Sequence, residues 1–167
     1  MNSKEEKTPK KKKRVRLKVG HIFKSPAGKG KHAYGQYCYD CRRGSMIRIF
    51  DIVTDREMDL EEITKRELMF PPIFVGLPAA IREGVWELVG FQELKDFKVP
   101  LFKTSLFAPA EKDNTWFVID VTTDKTIKKG SRVPWRYRKL ERAGTWSAYD
   151  VIKRIENGGE NPYEAWK

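Results

Sequence analysis

Cys38 and Cys41 form a C-x-x-C pair with His21 and His32 upstream, so all the residue types of a zinc site are present. Tetrahedral zinc needs such cysteines on a tight knuckle. Here the flanking residues read as a strand, on which side chains three apart leave opposite faces. A redox C-x-x-C would need a helix N-terminus to stabilise its thiolate, and no helix is expected there. The expectation is two reduced cysteines packed at the end of a hairpin, and no metal.

Glu93-Leu94-Lys95 matches half of a metal-dependent nuclease signature, with Asp51, Asp55 or Asp59 upstream as the other carboxylate. That chemistry requires the oxygens to converge on one Mg²⁺. A three-residue pattern with one free position arises readily in a chain with 34 Lys or Arg and 23 Asp or Glu. The chain has no Ser-centred nucleophile elbow, no phosphate-cradling glycine loop and no H-E-x-x-H. Ala27-Gly28-Lys29-Gly30-Lys31 lacks the spacing of a phosphate loop and reads as a hairpin turn. No catalytic set emerges, so a non-enzymatic protein without a cofactor or a small-molecule substrate is expected.

Trp135, Arg136, Tyr137, Arg138 and Lys139, followed by Arg142, interleave aromatics with cations. Such a run can stack bases and contact phosphate. The same alternation also builds an amphipathic strand with Trp135 and Tyr137 inward and the cations solvated. Tyr, Trp and Arg dominate interface energetics, which makes Tyr34, Tyr39, Trp135, Arg136, Tyr137 and Arg138 the candidate partner-contact set, taken as exposed.

These residues sit in 167 positions, room for one domain, with 40% hydrophobic and 12% aromatic residues and 34% charge: a core with a well-solvated surface. No apolar run approaches the roughly 18 residues that span a bilayer, and charge occupies the N-terminus where a signal peptide would be apolar. Two closely spaced cysteines are no extracellular disulfide framework, which points to a reducing cytoplasm. The net charge of +11 is uneven, because Met1 to Lys18 hold nine Lys or Arg against two Glu. Residues 1–15 are therefore expected to be a disordered basic arm, and residues 16–167 a single β-rich domain. Within the arm Pro9, Lys10, Lys11, Lys12, Lys13 and Arg14 read as a solubilising tail, a localisation signal or a nucleic-acid-binding arm.

The first strand is expected from near Arg16, with Leu17, Val19 and Phe23 alternating with polar residues, and a second over Lys31–Cys41 after a turn. Met46–Val53 makes a third, central strand. Asp59–Leu68 has a helical period and an acidic first turn, and Pro71 and Pro72 stop it. A short segment at Ala79–Glu83 leads into a strand over Val85–Phe91. Pro100–Pro109 reads as edge or loop, and Thr115–Thr122 as the last clear strand. Ser147 with Asp150 resembles a capping box, Tyr149, Ile152 and Ile155 share one helix face, and Asn157-Gly158-Gly159 end the helix. The fold class is α+β: a bent antiparallel sheet, or a small SH3-like partly open barrel, with the C-terminal helix packed on it. Trp86, Phe50, Phe117, Val118 and Ile152 are its expected core.

Val19-Gly20-His21-Ile22-Phe23 followed by Ala33-Tyr34-Gly35-Gln36 resembles the opening of the immunity protein 26 family of bacterial polymorphic toxin systems. The family pattern is a V-G-D-I-F strand, a turn, and then Y-A-Y-G-x-V. The similarity continues through Ile47–Asp51, Gly84-Val85-Trp86-Glu87-Leu88-Val89-Gly90, Pro100 and Phe102. His21 stands where the family usually has Asp, and Cys38 where an aliphatic residue is commoner. The resemblance implies a protein that binds and neutralises a cognate toxin, or a component of a defence or counter-defence complex, without catalysis of its own. The positive charge would then favour an acidic partner surface. The alternative is a small basic barrel that clamps nucleic acid with its arm. Third comes a barrel ribonuclease toxin, whose general base would be His21, His32 or a carboxylate.

Overall fold

β-Branched and aromatic residues on a two-residue period assemble the first strands. In the computed structural model, which describes residues 16–105 and 115–163, β1 (His21–Pro26), β2 (His32–Cys41) and β3 (Gly44–Phe50) form the predicted antiparallel meander. The basic arm lies outside the described residues. β1 begins at His21 rather than near Arg16, because Gly20 turns the chain at φ +106° and donates its N–H to Tyr37 O at 2.8 Å.

The predicted helix is shorter than its pattern: α1 covers Leu60–Thr64. The residues after it, Leu68–Val75, form β4, a strand that the sequence reading misses because it contains Pro71 and Pro72. Proline has no N–H for a ladder. The sheet accommodates the pair at a register slip, where Ile47 faces Ile73 but Ile49 faces Phe70. α2 (Leu77–Arg82) and β5 (Glu87–Phe91) follow. A second sheet begins at β6 (Phe102–Ser105) and continues with β7 (Trp116–Asp120) and β8 (Lys125–Gly130). β7 is not the last strand. β8 carries none of the usual apolar alternation, and β9 (Thr145–Trp146) has only two residues, so neither shows in the sequence pattern. α3 (Ala148–Glu156) closes the fold.

The larger sheet has the order β5-β1-β2-β3-β4-β9 and the smaller β6-β7-β8. All pairings are antiparallel except that of β4 with β9. The large sheet does not close into a barrel; β5 and β9 are its edges.

Side-chain alternation distributes three cores over the two faces of the large sheet. On one face Phe23, Ile47, Ile49, Ile73 and Val75 pack with Trp86, with Leu77 and Ala80 of α2, and with Val151 and Ile155 of α3. On the other face Ile22, Tyr34 and Phe50 meet Ile63 of α1. Beside them Met46 and Phe74 meet Phe102 and Ile119 of the small sheet. Phe23 stacks on Trp86 at 4.6 Å between ring centroids and lies directly over Gly35, where a Cβ would overlap the Phe23 ring and come 2.8 Å from Ile49 Cδ1. Fully buried Gln36 is satisfied on both sides: its Nε2 donates to Gly20 O and Gln92 O, and its Oε1 accepts from Arg48 Nε and Nη2 at 3.1 and 2.6 Å. Of the expected core, Trp86, Phe50 and Val118 are buried, and Phe117 and Ile152 are half-buried.

α3 starts as predicted, with Ser147 Oγ accepting from Asp150 N at 3.1 Å, and Gly158 and Gly159 follow its end at φ +66° and +91°. Its inward face is Val151, Arg154 and Ile155; Tyr149, grouped by the sequence pattern on one face with Ile152 and Ile155, is exposed. Arg154 is a buried cation. It donates to Glu141 Oε1 at 2.5 Å and to Gly159 O at 2.8 Å, and its guanidinium lies 4.1 Å from the Phe70 ring centroid and 5.1 Å from that of Trp146. This knot holds the chain around β9 against β4. Among the described residues no helix is long and apolar enough to cross a membrane.

Candidate partner-binding surface

The small sheet and the chain that leaves it carry a run of exposed cations and the exposed ring of Trp135. β8 is exposed from Lys125 through Lys129, and Ile127 among them is open to solvent. The following residues fold back, so that Arg132, Val133 and Pro134 lie against Trp116, Phe117 and Val118 of β7. Pro134, with its fixed φ, then starts a 3-10 turn over Trp135–Tyr137, closed by Tyr137 N to Pro134 O at 2.8 Å and Arg138 N to Trp135 O at 3.2 Å. The run is thus a turn, not the amphipathic strand that its alternation suggests. A turn has no inward row, and Trp135 stands 81% exposed.

Arg136 lies 4.9 Å from the Tyr137 ring centroid, and Lys103 Nζ donates to Arg138 O at 2.5 Å, tying the turn to β6. Arg142 anchors the same stretch, 5.5 Å from the Trp116 ring and donating to Ser105 Oγ at 3.1 Å. Residues 125–139 contain seven Lys or Arg and no Asp or Glu. Among the described residues, no ion pair involves any of these seven cations.

The structure therefore brings Trp135, Arg136, Tyr137 and Arg138 together but separates them from the two other candidates. Tyr39 is half-buried against the core between the sheets. Tyr34 is 1% exposed, a correction to its reading as a surface aromatic: its side chain leaves β2 on the α1 face, where its hydroxyl accepts from Met58 N at 3.2 Å, meets His32 Nε2 at 3.0 Å and donates to Glu57 at 3.4 Å. Burial raises its pKa. Glu57 also accepts from Lys24 at 2.7 Å, which lowers the carboxyl's pKa and raises that of the amine. Lys10, Lys11, Lys12, Lys13 and Arg14 lie outside the described residues. The strand β8, whose cations adjoin the turn, is the part of this surface that sequence reasoning missed; its signal was a lysine run without counter-charge.

The other chemical candidates disperse. Cys38 and Cys41 are free thiols. Cys38 is buried and donates toward Gln36 O at 3.2 Å, and burial pushes its thiol up to about 12. His21 and His32 sit at opposite ends of the β1–β2 hairpin, His21 taking the N–H of Lys18 on Nδ1 at 2.8 Å. Asp51, Asp55, Asp59 and Glu93 are exposed, and among the described residues no three His, Cys, Asp or Glu side chains are grouped to hold a metal ion. One open depression beside α1 is lined by Asp59, Leu60, Glu61, Glu62, Lys65, Arg66 and Gln92. Within it Glu62 pairs with Arg66 at 3.4 Å and also with Arg56 at 2.9 Å.

No curated protein and no solved structure matches the chain. A family profile does, over residues 18–116, which span the meander, α1, β4, α2, β5 and β6 and stop at the first residue of β7. That segment is more than half of the chain and contains five of the six strands of the large sheet, so the chain belongs to the Immunity protein 26 family.

Proposed function

We propose that this protein binds a protein toxin and neutralises it by occlusion, without catalysis, in the cytoplasm of the cell that makes it. Family membership over residues 18–116 is the observation that carries this reading. The described residues contribute a rigid two-sided core and an uncovered turn with the side chains that dominate protein interfaces: Trp135 at its apex, Arg136 on Tyr137, and Arg138 beside them. In this reading Trp135 is the anchor that a pocket on the toxin receives, and the arginines pair with carboxylates around it. Tyr39 contributes by fixing the small sheet against the large one, and residues 16–167 serve as a single domain.

The test is a growth experiment. A tagged chain is used to retrieve a partner that resists nuclease treatment, and that partner is expressed alone and with the chain. Growth arrest by the partner alone, relieved on co-expression and not relieved by Trp135→Ala/Arg136→Ala, is the expected result. A retrieved partner that leaves growth unaffected would remove the neutralising role, and relief that survives the double substitution would move the contact elsewhere.

A further inference from the structure

We infer that β8 and the turn after it form a binding site for single-stranded nucleic acid, a second function that does not depend on toxin neutralisation. The argument rests on charge, chemistry and placement. Lys125, Lys128 and Lys129 lie along an exposed strand, and the chain from Arg132 to Lys139 adds Arg132, Arg136, Arg138 and Lys139. All seven lack a carboxylate partner among the described residues, so their field is directed to solvent. Four of the seven are lysines. Lysine is depleted in protein–protein interfaces, whereas phosphate is met by Lys and Arg alike, and nucleic-acid interfaces are far more positive than protein ones.

Charge alone would suit any polyanion; the ring is what selects a base. Trp135 is 81% exposed at the end of the cationic stretch, held there by the Pro134 start of the turn and by the Lys103 contact to Arg138 O. An indole presented this way offers a π-face to an unpaired base, and stacking tolerates any sequence. A duplex buries its base faces, so the ligand is a single strand or a loop. The cations sit N-terminal to Trp135 along β8 and C-terminal to it at Arg136, Arg138 and Lys139, so backbone phosphates on both sides of a stacked base find partners. Because Trp135 also serves the proposed toxin contact, a bound strand and a bound toxin exclude each other.

The experiment is fluorescence anisotropy of the full chain with a fluorescein-labelled 20-nucleotide oligouridylate, titrated at several salt concentrations. Trp135→Ala is expected to weaken binding about tenfold while leaving the salt slope unchanged, since it removes stacking and no charge. Lys128→Gln/Lys129→Gln/Arg132→Gln is expected to reduce the slope of log K against log salt by about two, at about 0.7 per single-strand phosphate contact. All these side chains are exposed, so the fold is retained, and circular dichroism verifies this. The inference is overturned if both variants bind like the parent, which assigns the binding to cations elsewhere in the chain. It is also overturned if poly-glutamate of equal charge displaces the oligonucleotide as well as unlabelled oligouridylate does, which would make the surface a docking site for an acidic protein.

Discussion

The large sheet and the small sheet put their side chains to different uses. In the large sheet both faces are covered, by α2 and α3 on one side and by α1 and the small sheet on the other, and the fully buried Gln36 is hydrogen-bonded on both its nitrogen and its oxygen. The small sheet packs on Met46 and Phe74 through Phe102 and Ile119, but β8 has every residue through Lys129 in solvent. The family match covers the first region almost whole and ends where the second is only half built. Membership of the family and the cationic surface therefore fall on different stretches of one chain: one stretch sets the scaffold, and the next carries the exposed cations.

That contrast can be broken by substitutions placed in each region. Trp86→Ala should have the largest effect, costing ~3–5 kcal/mol, because it empties a buried site and leaves Phe23 without its stacking partner. Trp135→Ala should change stability by less than ~0.5 kcal/mol while abolishing partner binding. Urea unfolding of both proteins decides it, and equal midpoints would mean that the turn is as structural as the core. Arg154→Ala should cost about as much as Trp86→Ala, ~3–5 kcal/mol, since it leaves Glu141 buried without its partner. A loss below ~1 kcal/mol would show that the C-terminal knot is dispensable.

Smaller effects sharpen the picture at α3. Ser147→Ala removes the N-cap and should cost ~1 kcal/mol. Asp150 is held below the usual carboxylate range by the Tyr163 hydroxyl and then by Ser147. A depressed folded-state value means that its contribution is present above the unfolded carboxylate pKa and lost as pH falls through the folded one. The effect is ~0.5 kcal/mol for so exposed a group, and Asp150→Asn should flatten this part of the acid limb. An unchanged limb would rule it out. Last, a thiol reagent at pH 8 should label Cys41 in the folded protein and Cys38 only after unfolding, because burial both occludes Cys38 and raises its pKa to about 12.

Much of the scaffold was legible because burial imposes a pattern. The antiparallel meander of the first three strands, the glycines of the turn, and the Ser147 cap each have one physical reading, and the folded chain adopts it. Tyr34 failed as a surface residue because in a sheet covered on both faces the alternation says which side a residue takes, not that one side is wet. β4 was hidden by Pro71 and Pro72, whose cost disappears at a register slip that only the neighbouring strand reveals. β8 was hidden for the opposite reason: an exposed strand of lysines is specified by its partner β7, not by its own hydrophobicity. The turn at Trp135 needed the fold-back of residues 132–134 against β7 to distinguish it from a strand.

The parallel pairing of β4 with β9 has a consequence for how the chain is made. Phe74 and Val75 pair with Thr145 and Trp146, and Thr145 Oγ1 donates to Arg43 O across 102 positions of sequence. During synthesis the hairpins of β1 to β4 can zip as they leave the ribosome, but β4 keeps an unpaired, apolar edge until almost the whole chain has emerged. For that interval the nascent protein displays a strand ready to join another copy, and any ribosome that stalls before Thr145 releases a sticky fragment rather than a slightly shortened protein.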